Sequence, residues 1–141
     1  MIVVDTGVLY ALADKRDAHH AACVDWLSKV SSRLIVPPLV VAEACYLIGR
    51  YCGRMSRQPS WSPLAPAGPS RSRTWSTVTS SAWRTWCVST RTLPLGGTDA
   101  AVVAVAERLG TSEVATVDHR HFTVVRPRHV PAFRLMPDGS G

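Results

Sequence analysis

Two stretches of this chain share a pattern that few folds accept. Ile2-Val3-Val4 runs directly into Asp5, and Glu113-Val114-Ala115-Thr116-Val117 runs directly into Asp118. Short runs of β-branched and small apolar residues read as strands buried on both faces, the kind found in parallel sheets. An acid at the end of such a strand is costly to leave ionised unless a cation or a hydrogen-bond donor meets it. For Asp5 taken alone, the simpler reading is a helix cap, with Gly7-Val8-Leu9 as the first turn that follows. Two acids in the same setting call for a shared explanation.

The segments between these runs alternate helix and strand. Val8 to Ala13 reads as a short helix, and Asp17 as the N-cap of a second helix through His19, Cys23, Trp26, Leu27 and Val30. Arg33-Leu34-Ile35-Val36 is a further buried strand. Pro37-Pro38 opens a third helix, in which Val40, Val41, Ala44, Cys45, Leu47, Ile48 and Tyr51 leave Glu43 as the one charge before Arg50. Strand, helix and strand in succession predict an α/β fold with a parallel sheet. After Leu93-Pro94-Leu95-Gly96-Gly97, Thr98 reads as the N-cap of a helix with Asp99 in its first turn. Ala101, Val102, Val105, Ala106 and Leu109 form its apolar stripe, and Gly110 closes it. Phe122-Thr123-Val124-Val125 reads as another strand. The tail from Arg126 is Pro-rich, basic and expected to be peripheral. One domain over residues 1–136 is expected, with a frayed end over 137–141.

The net charge of +6 points to a nucleic-acid partner until its distribution is examined. Between Gly53 and Thr92 there are six arginines and no acid, while the rest of the chain carries ten basic and ten acidic residues. Serine or threonine occupies 15 of the 37 positions from Ser56 to Thr92, and no apolar period survives there. This middle segment is therefore expected to be irregular or disordered. An Arg/Trp arm stacking on single-stranded nucleic acid is one reading, against which stand the lack of lysine and of any repeating unit. A hypothesis that accounts better for the composition is translation out of frame between two compensating shifts. With one permitted codon choice, dropping two bases turns residues 84–92 into Asp-Leu-Val-Arg-Glu-Tyr-Ala-Asp, a helical pattern with its acids restored.

Other functional classes are excluded or weakened. Neither a phosphate-cradling GxGxxG or GxxxxGK[ST] nor a GxSxG nucleophile motif occurs. Cys23, Cys45, Cys52 and Cys87 have no CxxC spacing and read as packing residues or free thiols. His119 and His121 beside Asp118 lack the further ligands of a tetrahedral site, and contact with substrate phosphate, together with Arg120, is the alternative for them. His19-His20 reads as structural. The N-terminus has no basic segment leading into a long apolar run, and Pro37-Pro38 interrupts the longest apolar stretch. A cytoplasmic protein that does not enter the membrane is expected.

Parallel neighbouring strands would deliver Asp5 and Asp118 to the same sheet edge, where open α/β folds place their sites. Asp99 begins the helix that precedes the second of these strands, and Glu43 lies in the first turns of the helix after Leu34-Ile35-Val36, so both can reach that edge. Four acids there repel unless a cation joins them, and all-oxygen ligation favours Mg²⁺, with Mn²⁺ possible. Such a centre suits phosphodiester hydrolysis by a metal-activated water.

At this point the sequence resembles a known family. Ile2-Val3-Val4-Asp5-Thr6, the helix with Glu43, Leu95-Gly96-Gly97-Thr98-Asp99-Ala100 and Thr116-Val117-Asp118-His119-Arg120-His121-Phe122 look like the four acidic motifs of PIN-domain nucleases. More narrowly they look like those of the VapC toxins of bacterial toxin–antitoxin pairs. The resemblance covers Met1 to about Tyr51 and Leu93 to about Met136. It implies a PIN-like α/β/α sandwich and a Mg²⁺-dependent endoribonuclease, usually homodimeric and inhibited by a small VapB-like antitoxin. It also implies Asp5, Glu43 and Asp99 as core metal ligands, Asp118 as an auxiliary ligand, and Thr6 and Thr98 as hydroxyls orienting the carboxylates. Residues 53–92 do not supply the amphipathic helices that the family has there. The alternative is accordingly an inactive PIN domain that at most binds antitoxin or nucleic acid.

Overall fold

The structure, a computed structural model, describes residues 1–51, 75–77 and 96–137. In chain order the elements are β1 (Ile2–Val4), α1 (Thr6–Ala13), α2 (His20–Lys29), β2 (Leu34–Val36), α3 (Pro38–Tyr51) and β3 (Trp75–Thr77). They continue with α4 (Gly97–Leu109), β4 (Glu113–Ala115), α5 (His119–Val124) and β5 (Arg134–Met136).

The strands form one sheet in the order β3-β2-β1-β4-β5, and every pairing is parallel. Successive side chains of a strand point to opposite faces. All three residues of β1 and all three of β2 are buried, so both faces of the sheet centre are covered. This is the parallel sheet expected from the apolar runs, in the sandwich that the resemblance implies. The chain leaves β1 toward β2 and β3 on one side, while β4 and β5 lie on the other. A crevice therefore opens beyond the carboxyl ends of β1 and β4, the switch point at which such sheets place their sites. Against this sheet α4 is buried over every residue from Ala100 to Ala106. Its run of alanine and valine allows that close approach.

Several local expectations are corrected. Phe122 to Val125 is not a strand: residues 119–124 form α5. Asp118 caps it by accepting from the Arg120 N–H, and Phe122 and Val125, three apart, are buried while Thr123 and Val124 are exposed. A strand would have buried alternate residues instead. The tail is not peripheral either. Residues 134–136 pair with β4 as the edge strand β5, and Phe133, Leu135 and Met136 pack on the core. Asp17 shapes the turn before α2 rather than capping it, accepting from His19 N, and α2 begins only at His20. Helix α4 starts at Gly97 with Gly96 as its N-cap, so Thr98 lies inside the first turn. Gly110, at φ +64°, closes α4 as expected.

Most of the middle segment, the Arg/Trp arm included, lies outside the described residues, as do Cys52, Cys87 and residues 138–141. Within that segment Trp75–Thr77 contributes β3, which pairs with β2. An edge strand of this kind needs backbone hydrogen bonds and no apolar period. Cys23 is buried and Cys45 exposed, both as free thiols. Among the described residues no helix is long and apolar enough to cross a membrane.

Candidate active site

Parallel pairing of β1 with β4 brings their carboxyl ends together, and the Asp5 N–H extends the ladder by donating to the Ala115 carbonyl at 2.8 Å. Asp5 does cap α1, since its Oδ1 accepts from the Thr6 N–H at 2.7 Å. Its Oδ2 accepts from the Thr116 hydroxyl at 2.9 Å. The cap and the site are thus one residue using two oxygens. Asp5 is only 6% exposed. Burial pushes its carboxyl up from 3.8 to about 6 against the pull of the Thr116 and Thr6 hydrogen bonds, with smaller upward contributions from the charges of Asp99 and Glu43.

Gly7 allows this closeness. A Cβ there would lie 2.5 Å from Val117 Cγ2, so the first turn of α1 can lie against the β4–α5 connection only with glycine at that place.

Glu43 comes from α3, which packs on both α1 and α4. Glu43 is exposed, yet its Oε2 accepts from the Thr6 hydroxyl at 2.7 Å, so it stands at the solvated edge of α3 and at the site together. Asp99 stands at the third position of α4, where its Oδ2 accepts from the Gly96 N–H at 3.1 Å. The same oxygen lies 3.1 Å from His121 Nδ1, and the side chain is 15% exposed. Burial raises its carboxyl above the ordinary range, opposed by the Gly96 and His121 contacts, while the charge of Glu43 adds to the rise.

Asp118 is the outlier. Arg120 engages both its oxygens at 3.2 Å, and that contact holds the carboxyl below its usual range. His121 is 3.9 Å from it, so one imidazole stands between Asp99 and Asp118. The expected hydroxyl partner Thr6 is found on Glu43. Thr98 makes no hydrogen bond to these acids among the described residues, because the earlier start of α4 moves it into the first turn. Thr116 takes its place as the second hydroxyl, completely buried beneath Asp5. The sequence carried a sign of it: a threonine just past the end of β4, at the same sheet edge as Asp5.

These donors suit a hard divalent cation. A buried carboxyl whose proton is held tightly, flanked by two further carboxylates that raise it, is the situation a bound Mg²⁺ or Mn²⁺ relieves. Among the described residues no three acidic, histidine or cysteine side chains form a ready-made cation cage, so the acids are gathered but not closed around a point. The soft-metal reading of His119 and His121 finds no third ligand among the described residues; His121 Nδ1 lies against Asp99, and Arg120 pairs with Asp118.

Comparison with known proteins agrees with the fold. The chain is 29% identical to Ribonuclease VapC26 of Mycobacterium tuberculosis over 136 residues, covering 96% of this chain and all of that protein. The crystal structure of Mycobacterium tuberculosis VapC20, described as a Sarcin-Ricin loop cleaving toxin, superposes with a TM-score of 0.62. That match has 23% identity and covers 81% of this chain and 87% of that one. The sequence profile of the PIN domain matches residues 2–126, a span containing all four acids and both threonines of the site, and the chain belongs to the PIN-domain family.

Proposed function

We propose that this protein is an endoribonuclease of the VapC toxin type that hydrolyses RNA phosphodiester bonds at Asp5, Glu43 and Asp99 with Mg²⁺, or with Mn²⁺ in its place. The observation that carries this reading is the convergence at the sheet's switch point of three carboxylates drawn from β1, α3 and α4, with Thr116 on Asp5, Thr6 on Glu43 and the Gly96 N–H on Asp99. RNA as substrate is supported by the names of the two relatives, a ribonuclease and a toxin that cleaves the sarcin-ricin loop. A small VapB-like antitoxin as inhibitor, a homodimer as the assembly and a cytoplasmic location belong to the same reading.

A bound divalent cation supplies an attacking water of lowered pKa and compensates charge on the phosphoryl oxygen. The residues of this chain hold the geometry. Thr6 and Thr116 donate to Glu43 and Asp5, which fixes one oxygen of each. The Gly96 N–H steadies Asp99. Each carboxyl must be deprotonated to ligate, and with its pKa near 6 Asp5 is largely ionised at neutral pH.

The test is RNA cleavage by the purified full chain. Cleavage that needs Mg²⁺ or Mn²⁺, stops in EDTA and falls by about a hundredfold or more in Asp5→Asn is expected. A cooperatively folded sample with no metal-dependent cleavage overturns the proposal in favour of an inactive PIN domain.

A further inference from the structure

Asp118 keeps different company from the other three acids. Arg120 Nε lies 3.2 Å from its Oδ1 and Nη2 lies 3.2 Å from its Oδ2, while the Arg120 backbone N–H also donates to Oδ1. Both carboxylate oxygens are thus committed to one residue of its own helix. An ion pair whose arginine side chain is 88% exposed adds little to stability. What such a forked contact does provide is direction, because a planar guanidinium held at two points can pivot little.

That direction is tied to the acids. The Thr116 hydroxyl donates to Asp5 Oδ2 at 2.9 Å and accepts from the Asp118 N–H at 3.1 Å. A continuous chain of hydrogen bonds therefore runs from Asp5 through Thr116 to Asp118 and on to Arg120. It ties the backbone at Asp118, and with it the start of the helix that carries Arg120, to Asp5. Of the five N–H bonds of the Arg120 guanidinium, the contact with Asp118 uses two, and the side chain is otherwise largely open to solvent, so three donors remain. Those remaining donors match the oxygens of a phosphate.

We propose that Asp118 is a positioning residue rather than a metal ligand, and that Arg120, held by it, binds a backbone phosphate of the RNA next to the scissile bond. This rests on the ribonuclease reading for the identity of the ligand, but not on metal occupancy.

Two measurements on the full chain test it, with Asp5→Asn as the control. In EDTA, binding of a short single-stranded RNA oligonucleotide is followed by fluorescence anisotropy across a salt series. The double variant Asp118→Asn/Arg120→Ala removes the pair as a whole: one negative and one positive charge go together, so net charge is unchanged. It is expected to bind RNA about tenfold more weakly, with the logarithmic salt slope reduced by about 0.7, the value of one phosphate contact on a single strand. Asp118→Asn alone is expected to weaken RNA binding in the same direction, and Arg120→Lys to restore only part of it. In parallel, calorimetric titration with Mn²⁺ is expected to give the same affinity within about twofold for wild type and Asp118→Asn, and a loss of tenfold or more for Asp5→Asn. Tenfold loss of Mn²⁺ affinity in Asp118→Asn makes that residue a ligand and overturns the proposal. RNA affinity and salt slope unchanged in the double variant overturn it as well. Failure of Asp5→Asn to lose Mn²⁺ sinks the metal reading instead, and the RNA measurement in EDTA still decides the role of Arg120.

Discussion

Asp5→Asn should flatten the pH dependence of folding stability, and the expected size follows from the site. Asp5 holds its proton up to about pH 6 in the fold but releases it near 3.8 when unfolded. Between those values the folded chain binds a proton that the unfolded chain does not. Stability from this group is therefore complete below 3.8 and is lost as pH rises through about 6. At about 1.4 kcal/mol per pH unit, the loss is about 3 kcal/mol. Asparagine keeps the cap on the Thr6 N–H but turns an amide donor toward Thr116, whose hydroxyl then loses its acceptor at a cost of about 1–3 kcal/mol. The offset between the two proteins is consequently small and ambiguous, whereas the slope is not. Denaturant unfolding in EDTA from pH 4 to 8 measures it. Subtracting the variant's profile removes the acids not coupled to Asp5, including the partly buried Asp14 and Asp118, whose lowered values act in the opposite direction. The wild type should lose about 2.4 kcal/mol of this relative to Asp5→Asn across pH 4–7. Saturating Mg²⁺ at pH 7.5 should return a similar amount to the wild type alone, since a ligand at a hundred times its dissociation constant stabilises by about 2.7 kcal/mol. A difference profile that stays flat from pH 4 to 7 would refute the buried, proton-retaining Asp5.

Gly7→Ala should destabilise by about 1–3 kcal/mol through the clash with Val117, and adding Val117→Ala should recover most of it in thermal unfolding; no recovery means the strain lies elsewhere. Thr116→Val removes the donor on Asp5 Oδ2, so the loss of stability with rising pH should grow and Mn²⁺ affinity should fall by about tenfold, both read on the same samples. An unchanged pH profile in that variant would show that the hydroxyl does not hold Asp5. Sequencing the gene across codons 53–92 should reveal an amphipathic, acid-containing pattern in a shifted frame; stop codons there would end the frame-shift hypothesis.

What the sequence determined by itself was local and periodic. Three-residue apolar runs fixed β1 and β2, the Pro pair fixed the start of α3, the small-residue stripe and Gly110 fixed α4, and the acids stood out because charge is rare beside such runs. An α/β architecture with a parallel sheet and the prominence of the four acids followed from those patterns, because each is set by neighbours within a few residues, while the PIN-like form of that architecture was implied by the resemblance of the acidic motifs. Only the tertiary structure decided the partners. Thr116 meets Asp5 across 111 residues and Thr6 meets Glu43 across 37, and no local pattern encodes a hydrogen bond between separate elements. The same reason explains the errors at the carboxyl end. Residues 122–125 have the composition of a strand, but the Asp118 cap and the burial of Phe122 with Val125 favour a helix. The tail became β5 because β4 offered an open edge to pair with. The four acids that look equivalent in sequence are also separated only in space, where Asp5, Glu43 and Asp99 act on one another while Asp118 turns to Arg120.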